Sequence, residues 1–410
     1  MRRLILRFGG FATLPLLSAV APLLLLPIIA RVGGVDGWAS IATAQAIGTF
    51  GAVAVSFGWA IAGPPLIAQE TSEEQRRASY RRSFSSRMIV FVVALPLLAV
   101  LSGVLAAPRY VLDSVLMTVA MAFFGFSFSW FAIGLGRPGL IASFEAVPKV
   151  VATLLSAVLL LIGVPIWAYP ALLLLASVSG LLLFQRRHIG ALLPWMRRAD
   201  GTLRGSLRIM VVPALVDLSG ASYAATPLPI VSATSSFLMT SMFASADKLY
   251  RYGLFGISAL ANALQAWVLD PARPAQHRRQ VAAIIAHLVL GTIGMLVLAV
   301  GGPWATSLLF GEDVAAAGYV CFWFGMAYLM LSVSTPFMRN LLLPHGRASV
   351  ILKATVAGAI IGVPIMIWGA LTIGGVGVAM GLALSEFVIL LGVVPPSLKH
   401  LGGSRAPDHG

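Results

Sequence analysis

Nine charged residues fall inside stretches apolar enough to cross a bilayer: Lys149, Lys248, Arg251, Arg339 and Lys353, with the acids Glu145, Asp217, Asp247 and Glu386. A cation at membrane depth costs about 2.5–3.5 kcal/mol on insertion scales, so five would cost on the order of 15 kcal/mol at the bilayer centre. That approaches the whole stability of a typical protein. Each charge must therefore reach water, find a partner or line a polar cavity. A cavity lined by cations would take an anion. Buried carboxylates without a basic neighbour could couple proton or sodium movement.

Lys149 lies about 15 Å into its span by helical rise, too deep for easy snorkelling. Glu145 stands one turn earlier, in the favourable acid-before-base arrangement. The pair either fastens helices or faces an aqueous cavity. Asp247, Lys248 and Arg251 sit near one end of a span about 42 Å long, against a hydrocarbon core of about 30 Å. They either stand in water at a mouth or line the path inward. Spacing puts Asp247 and Arg251 on one helix face. Arg339 is close enough to Pro344 and the span's end to snorkel, and Lys353 is intermediate. Asp217 and Glu386 have no basic neighbour in their own helices. Each either pairs with a cation from elsewhere or stays protonated; the role is either a structural helix–helix contact or the coupling of proton or sodium movement.

The elements that must position these residues are membrane helices. Of 410 residues, 59% are hydrophobic and only 10% charged, against about 25% charged in soluble domains. Mean hydropathy is +0.94. Twelve spans are expected near 8–30, 38–67, 88–106, 114–135, 139–162, 169–184, 209–227, 242–269, 281–300, 316–343, 348–371 and 377–394. Unbroken apolar runs exclude the alternating ten-residue strands of an outer-membrane barrel. The first run is too long for a signal peptide's apolar region and reads as a retained span. Alternate connections carry the arginines, among them Arg76, Arg77, Arg81, Arg82, Arg87, Arg137, Arg186, Arg187, Arg278, Arg279 and Arg347. The opposite set holds only Arg31 and Arg109. By the positive-inside rule the basic face and both termini are cytoplasmic. The net charge of +14 is thus mostly a topology signal, not a nucleic-acid footprint. Attraction to anionic lipid headgroups is a by-product.

The longest polar connection, 185–208, separates six spans from six. It places a boundary between a six-helix bundle at 1–198 and another at 199–410. The halves echo each other. Leu26-Pro27-Ile28-Ile29 answers Leu228-Pro229-Ile230-Val231, and Gly163-Val164-Pro165-Ile166 answers Gly362-Val363-Pro364-Ile365. Lys149 and Lys353 each follow a short arginine-bearing turn. Many transporters use such repeats, with the site between the halves. Pro15, Pro22, Pro96, Pro213 and Pro336 lie inside spans, where proline favours kinks.

Enzyme signatures are absent: no Walker loop, no His-Glu-x-x-His and no Gly-x-Ser-x-Gly. The chain is expected to be no enzyme and to need no cofactor or metal. Its only cysteine, Cys321, reads as a small buried apolar residue. The largest outward loop, 301–315, offers only Glu312 and Asp313, too little for catalysis outside the membrane. The fourth span carries Phe123, Phe124, Phe126, Phe128, Trp130 and Phe131. The tenth carries Tyr319, Phe322, Trp323, Phe324 and Tyr328. Near a cavity such aromatics could stack on sugar rings, but both sets cover all sides of their helices and read as lipid-facing bulk.

Several motifs resemble Wzx-type polysaccharide (O-antigen) flippases, of the multidrug/oligosaccharidyl-lipid/polysaccharide exporter superfamily. They are Ala30-Arg31-Val32-Gly33 with Asp36-Gly37, Trp130 and Gly134 followed by Lys149, Ala246-Asp247-Lys248-Leu249-Tyr250-Arg251, Leu309-Phe310-Gly311 and Ser385-Glu386. The resemblance implies two six-helix bundles forming a V around a cationic central cavity. It implies alternating access that carries undecaprenyl-diphosphate-linked oligosaccharide from the inner to the outer leaflet of the cell membrane. Other glycan-assembly membrane proteins would be partners. The first span lacks the charges common in lipid II flippases, which argues against a peptidoglycan precursor. The competing readings are a cation-coupled multidrug exporter, a membrane glycan polymerase or glycosyltransferase, and a transport-inactive scaffold.

Overall fold

The computed structural model describes residues 2–190, 203–270 and 275–401, with side chains described from Leu25 onward except at 203, 204, 206 and 266. Fifteen α-helices make up the regular structure, with short 3₁₀ and π turns between them and no strand among the described residues. They are α1 (Arg2–Ser56), α2 (Trp59–Gln69), α3 (Glu73–Leu105), α4 (Val111–Phe123), α5 (Ser129–Gly134), α6 (Pro138–Ile141), α7 (Val147–Leu161), α8 (Ala168–Phe184), α9 (Leu203–Ala225), α10 (Pro227–Thr234), α11 (Phe237–Leu269), α12 (Gln276–Phe310), α13 (Gly318–Pro336), α14 (Ala348–Ile373) and α15 (Gly375–Leu398). The chain forms two compact units, Met1–Ala221 and Ser222–Gly410. The boundary expected at 198/199 lies outside the described residues.

Eleven stretches among the described residues are long and apolar enough to cross a membrane. Twelve were expected. The difference is 8–30, which forms the first part of α1 but whose side chains are described only from Leu25. Large apolar side chains stand outward along α3 and α12, with Val93 74% exposed and Val300 79% exposed. Water would not tolerate so continuous an apolar face, and lipid does.

Helix breaks place the interior polar residues. α1 is interrupted at Gly34, with φ 60° and ψ −160°. Phe57 and Gly58, both at positive φ, separate α1 from α2. Gly58 combines φ 77° with tight packing: a Cβ there would lie 2.7 Å from the Ala214 nitrogen of α9. A π turn, Ala142–Ala146, precedes α7. Pro148 lacks an N–H, so the Phe144 carbonyl loses its usual helical donor. That carbonyl rests against Gly180 of α8, where a Cβ would come within 2.0 Å of it.

The units share one turn design. In the first, Gly136 N–H donates to the Ile133 carbonyl and Arg137 N–H to the Ala132 carbonyl, each at 2.9 Å. In the second, Gly346 N–H donates to Leu343 at 3.1 Å and Arg347 N–H to Leu342 at 3.0 Å. Both glycines have positive φ, as this helix-ending motif requires. One other echo does not survive. Gly163–Ile166 is a turn between α7 and α8, whereas Gly362–Ile365 lies inside α14.

The outward loop expected at 301–315 is shorter than its sequence suggested, because α12 runs on to Phe310. Residues 301–310 carry no charge that would force an exit. Thr306 closes the connection, donating to the Gly302 carbonyl at 2.8 Å and accepting from Ala316 N–H at 2.9 Å.

Gly180→Val should lower the thermal midpoint of the purified protein, since overpacking a tight crossing costs about 1–3 kcal/mol. Gly139→Ala, where a Cβ would meet nothing within 4 Å, should leave it nearly unchanged.

Candidate functional site

The first unit's polar interior centres on Arg87, which is only 1% exposed. It sits about 21 Å along α3 by helical rise. Its Nε donates to the Ser83 carbonyl at 3.3 Å, and Nη1 donates to Gly125 at 3.1 Å and Ser127 at 2.7 Å. Those last two acceptors belong to a 3₁₀ turn and kink between α4 and α5, where the chain leaves helical geometry. Carbonyls freed there need donors that lipid cannot supply. The guanidinium also stands 5.9 Å from the Phe126 ring centroid and 5.8 Å from that of Trp130. Arg87 is therefore no loop arginine, as the charge pattern had it. A signal was present: Ser79, Ser83 and Ser86 recur at helical spacing and are all buried. They mark α3's inward face as polar.

That kink also turns the aromatics inward. Phe126, Phe128, Trp130 and Phe131 pack with Trp59, Tyr80 and Phe184 in one buried cluster. The lipid-facing reading fails for this set because the break re-aims successive side chains into the bundle. For the tenth span it holds in part: Tyr319 and Phe322 are exposed, whereas Phe324 and Tyr328 are buried.

Lys149 projects from α7 with its ammonium 3.9 Å above the Phe124 ring centroid. Glu145 is 3.9 Å away. That separation exceeds hydrogen-bond length, so the ammonium's three N–H donors are not consumed by the carboxylate. Its side chain is 24% exposed. The cleft it lines with Phe124, Ser127 and Ser177 has about 10 Å³ for water, room for about one molecule. Within this unit the described cleft beside Lys149 is narrow. A larger pocket of about 280 Å³ is lined by Thr49, Ser56, Ser127, Ser129, Trp130 and Asp217. Asp217 lines this pocket together with four hydroxyl-bearing residues.

In the second unit, Asp247 is 1% exposed and lies about 15 Å along α11. The reading that put it in water at a mouth is corrected by this burial. Arg251 donates from Nε to Asp247 Oδ2 at 2.7 Å. Its Nη2 donates to the Ala224 carbonyl at 2.7 Å, in the last turn of α9. Lys248 is half-buried beside them. Arg339 donates to Asn262 Oδ1 at 2.7 Å, and Lys353 is exposed on α14. Glu386 is buried in α15, with Tyr223 close by. Cys321 is buried. Among the described residues no group of His, Cys, Asp and Glu could hold a metal. The five expected cations thus divide between the units, Lys149 in the first and the other four in the second. No described pocket holds two of them.

Residues 11–188 match the model of a family described as "Polysaccharide biosynthesis protein". No curated protein matched the sequence. A crystal structure of a MATE in complex with MaL6 shares the fold, with TM-score 0.50 and 12% identity over 94% of this chain and 95% of that one. The family match agrees with the sequence resemblance to polysaccharide proteins over residues 11–188, and the MATE structure agrees with the expected fold. The chain is a multi-pass helical membrane protein whose residues 11–188 match that family model and whose fold is that of the MATE structure.

Arg251→Ala would strand the buried Asp247 carboxylate and the Ala224 carbonyl, so stability should fall by about 3–5 kcal/mol. Adding Asp247→Asn should recover part of that loss, and thermal unfolding of the single and double variants checks the coupling.

Proposed function

We propose that this protein carries a lipid-linked oligosaccharide, joined to its polyprenyl carrier through a diphosphate, from the inner to the outer leaflet of the cell membrane. The observation that supports this reading is Lys149. It is a membrane-depth ammonium oriented by Phe124 and Glu145 whose donors are left over for an anion. The arginines of the spans are engaged with protein acceptors, Arg87 and Arg251 with carbonyls and Arg339 with an amide. Lysine is the residue that can meet a diphosphate as a point charge and release it again. Lys248 and Lys353 extend the same chemistry along the second unit, as do Arg251 and Arg339 where their bonding leaves N–H groups over.

The transport cycle is alternating access, with both termini and the arginine-rich connections cytoplasmic. Asp217, lining a pocket with four hydroxyl-bearing residues, fits a coupling cation or proton. Glu386 with Tyr223, and Asp247, are further candidates for coupling. Other glycan-assembly membrane proteins would deliver and receive the lipid-linked glycan. A cation-coupled multidrug exporter is the second reading, and the Asp217 pocket is the observation that favours it.

Depleting the protein should accumulate lipid-linked glycan on the cytoplasmic leaflet, detectable by leaflet-resolved labelling. Lys149→Gln, at unchanged protein level, should slow export roughly tenfold, the worth of one charge-assisted hydrogen bond. Unchanged leaflet distribution on depletion would rule the reading out.

A further inference from the structure

The arginines near the start of α3 do more than mark topology. Arg76, Arg77, Arg137, Arg187 and His188 surround a pocket of about 210 Å³ together with Glu73, Phe131 and Leu135. Four separate elements build it: the first turns of α3, the end of α5, the turn into α6, and the π turn Gln185–Ile189 after α8. A capping box at Ser72 and Gln75 fixes the start of α3. Arg76 is held by its Nε bond to the Glu70 carbonyl at 2.9 Å.

Charge is unbalanced there. Four guanidinium groups face one carboxylate, and Glu73 is taken by Arg77 at 3.1 Å. No described ion pair or hydrogen bond gives the side chains of Arg137 or Arg187 an acidic partner. A topology signal needs arginines only on the right face of the membrane. It does not need them gathered from four elements around one concavity, where they repel one another. An anion would relieve that repulsion, and planar guanidinium forks match phosphate oxygens. Phe131 and Leu135 add an apolar wall.

We propose that this pocket binds a phosphate or diphosphate group at the protein's basic face. The site is separate from the membrane-depth residues of the transport reading, and a chain that transported nothing could still carry it. The source is either a lipid headgroup or a soluble phosphate. Glu73 is a built-in competitor that an incoming anion displaces from Arg77.

The test uses the full chain in phosphatidylcholine nanodiscs, titrated with inorganic pyrophosphate at about 0.01 M salt, where screening extends over about 30 Å. Saturable binding is expected. Arg137→Ala with Arg187→Ala should weaken it at least about tenfold, the loss of charge-assisted bonds. Both side chains are exposed, so the thermal midpoint should hold. Glu73→Gln should tighten binding, an effect that a merely structural role would not produce. Nanodiscs containing phosphatidylglycerol separate the sources: competition with pyrophosphate identifies a lipid headgroup, and undiminished binding identifies a soluble phosphate. No pyrophosphate binding would overturn the proposal. So would equal binding by the double variant, or binding unchanged or weakened by Glu73→Gln.

Discussion

A backbone carbonyl freed at a helix break inside a bilayer has no water to meet, so the protein must supply its donor. This chain meets that need with buried arginines. Arg87 ties down the Gly125 and Ser127 carbonyls where α4 gives way to α5. Arg251 reaches the Ala224 carbonyl in the last turn of α9. Arg279, in the first turn of α12, makes a like contact at the polar connection outside the spans, bonding the Trp267 and Asp270 carbonyls at the end of α11. Two of the three serve helix C-termini, where the dipole also favours a cation. A forked, permanently charged group suits this work.

This division of labour gives the remaining charges their meaning. With arginines bound to fixed acceptors, the lysines carry charge that is not committed in the same way. Lys149 is held by a ring face and a carboxylate beyond hydrogen-bond distance, an arrangement that orients the ammonium without exhausting it. The same kink that Arg87 supports places Phe124 beneath Lys149 and turns Phe126, Phe128 and Trp130 into the bundle. One break in one helix thus couples the unit's core to its candidate ligand contact.

Much of this was legible in the sequence. Apolar run length located the helices, and the Glu145–Lys149 and Asp247–Arg251 spacings located two of the three described ion pairs. The turn at Gly136-Arg137 and its counterpart at Gly346-Arg347 were visible as short arginine-bearing connections, and the structure builds them alike. Arg87 was not recognised, because an arginine beside four others reads as part of a cytoplasmic run. Only the serine period on α3 distinguishes it. The inward aromatics were missed because the kink at 124–128 has no proline to announce it. Arg251's second bond joins residues 27 positions apart. No local pattern encodes it.

The central claim is movement of a diphosphate-linked glycan across the bilayer by this chain itself. The most direct measurement reconstitutes purified protein in vesicles carrying polyprenyl-diphosphate oligosaccharide and follows its accessibility to a membrane-impermeant glycan probe. Wild-type protein should make the inner-leaflet pool accessible, and Lys149→Gln should do so far more slowly at equal incorporation. Equal accessibility with and without protein, or equal rates for both proteins, would contradict that claim.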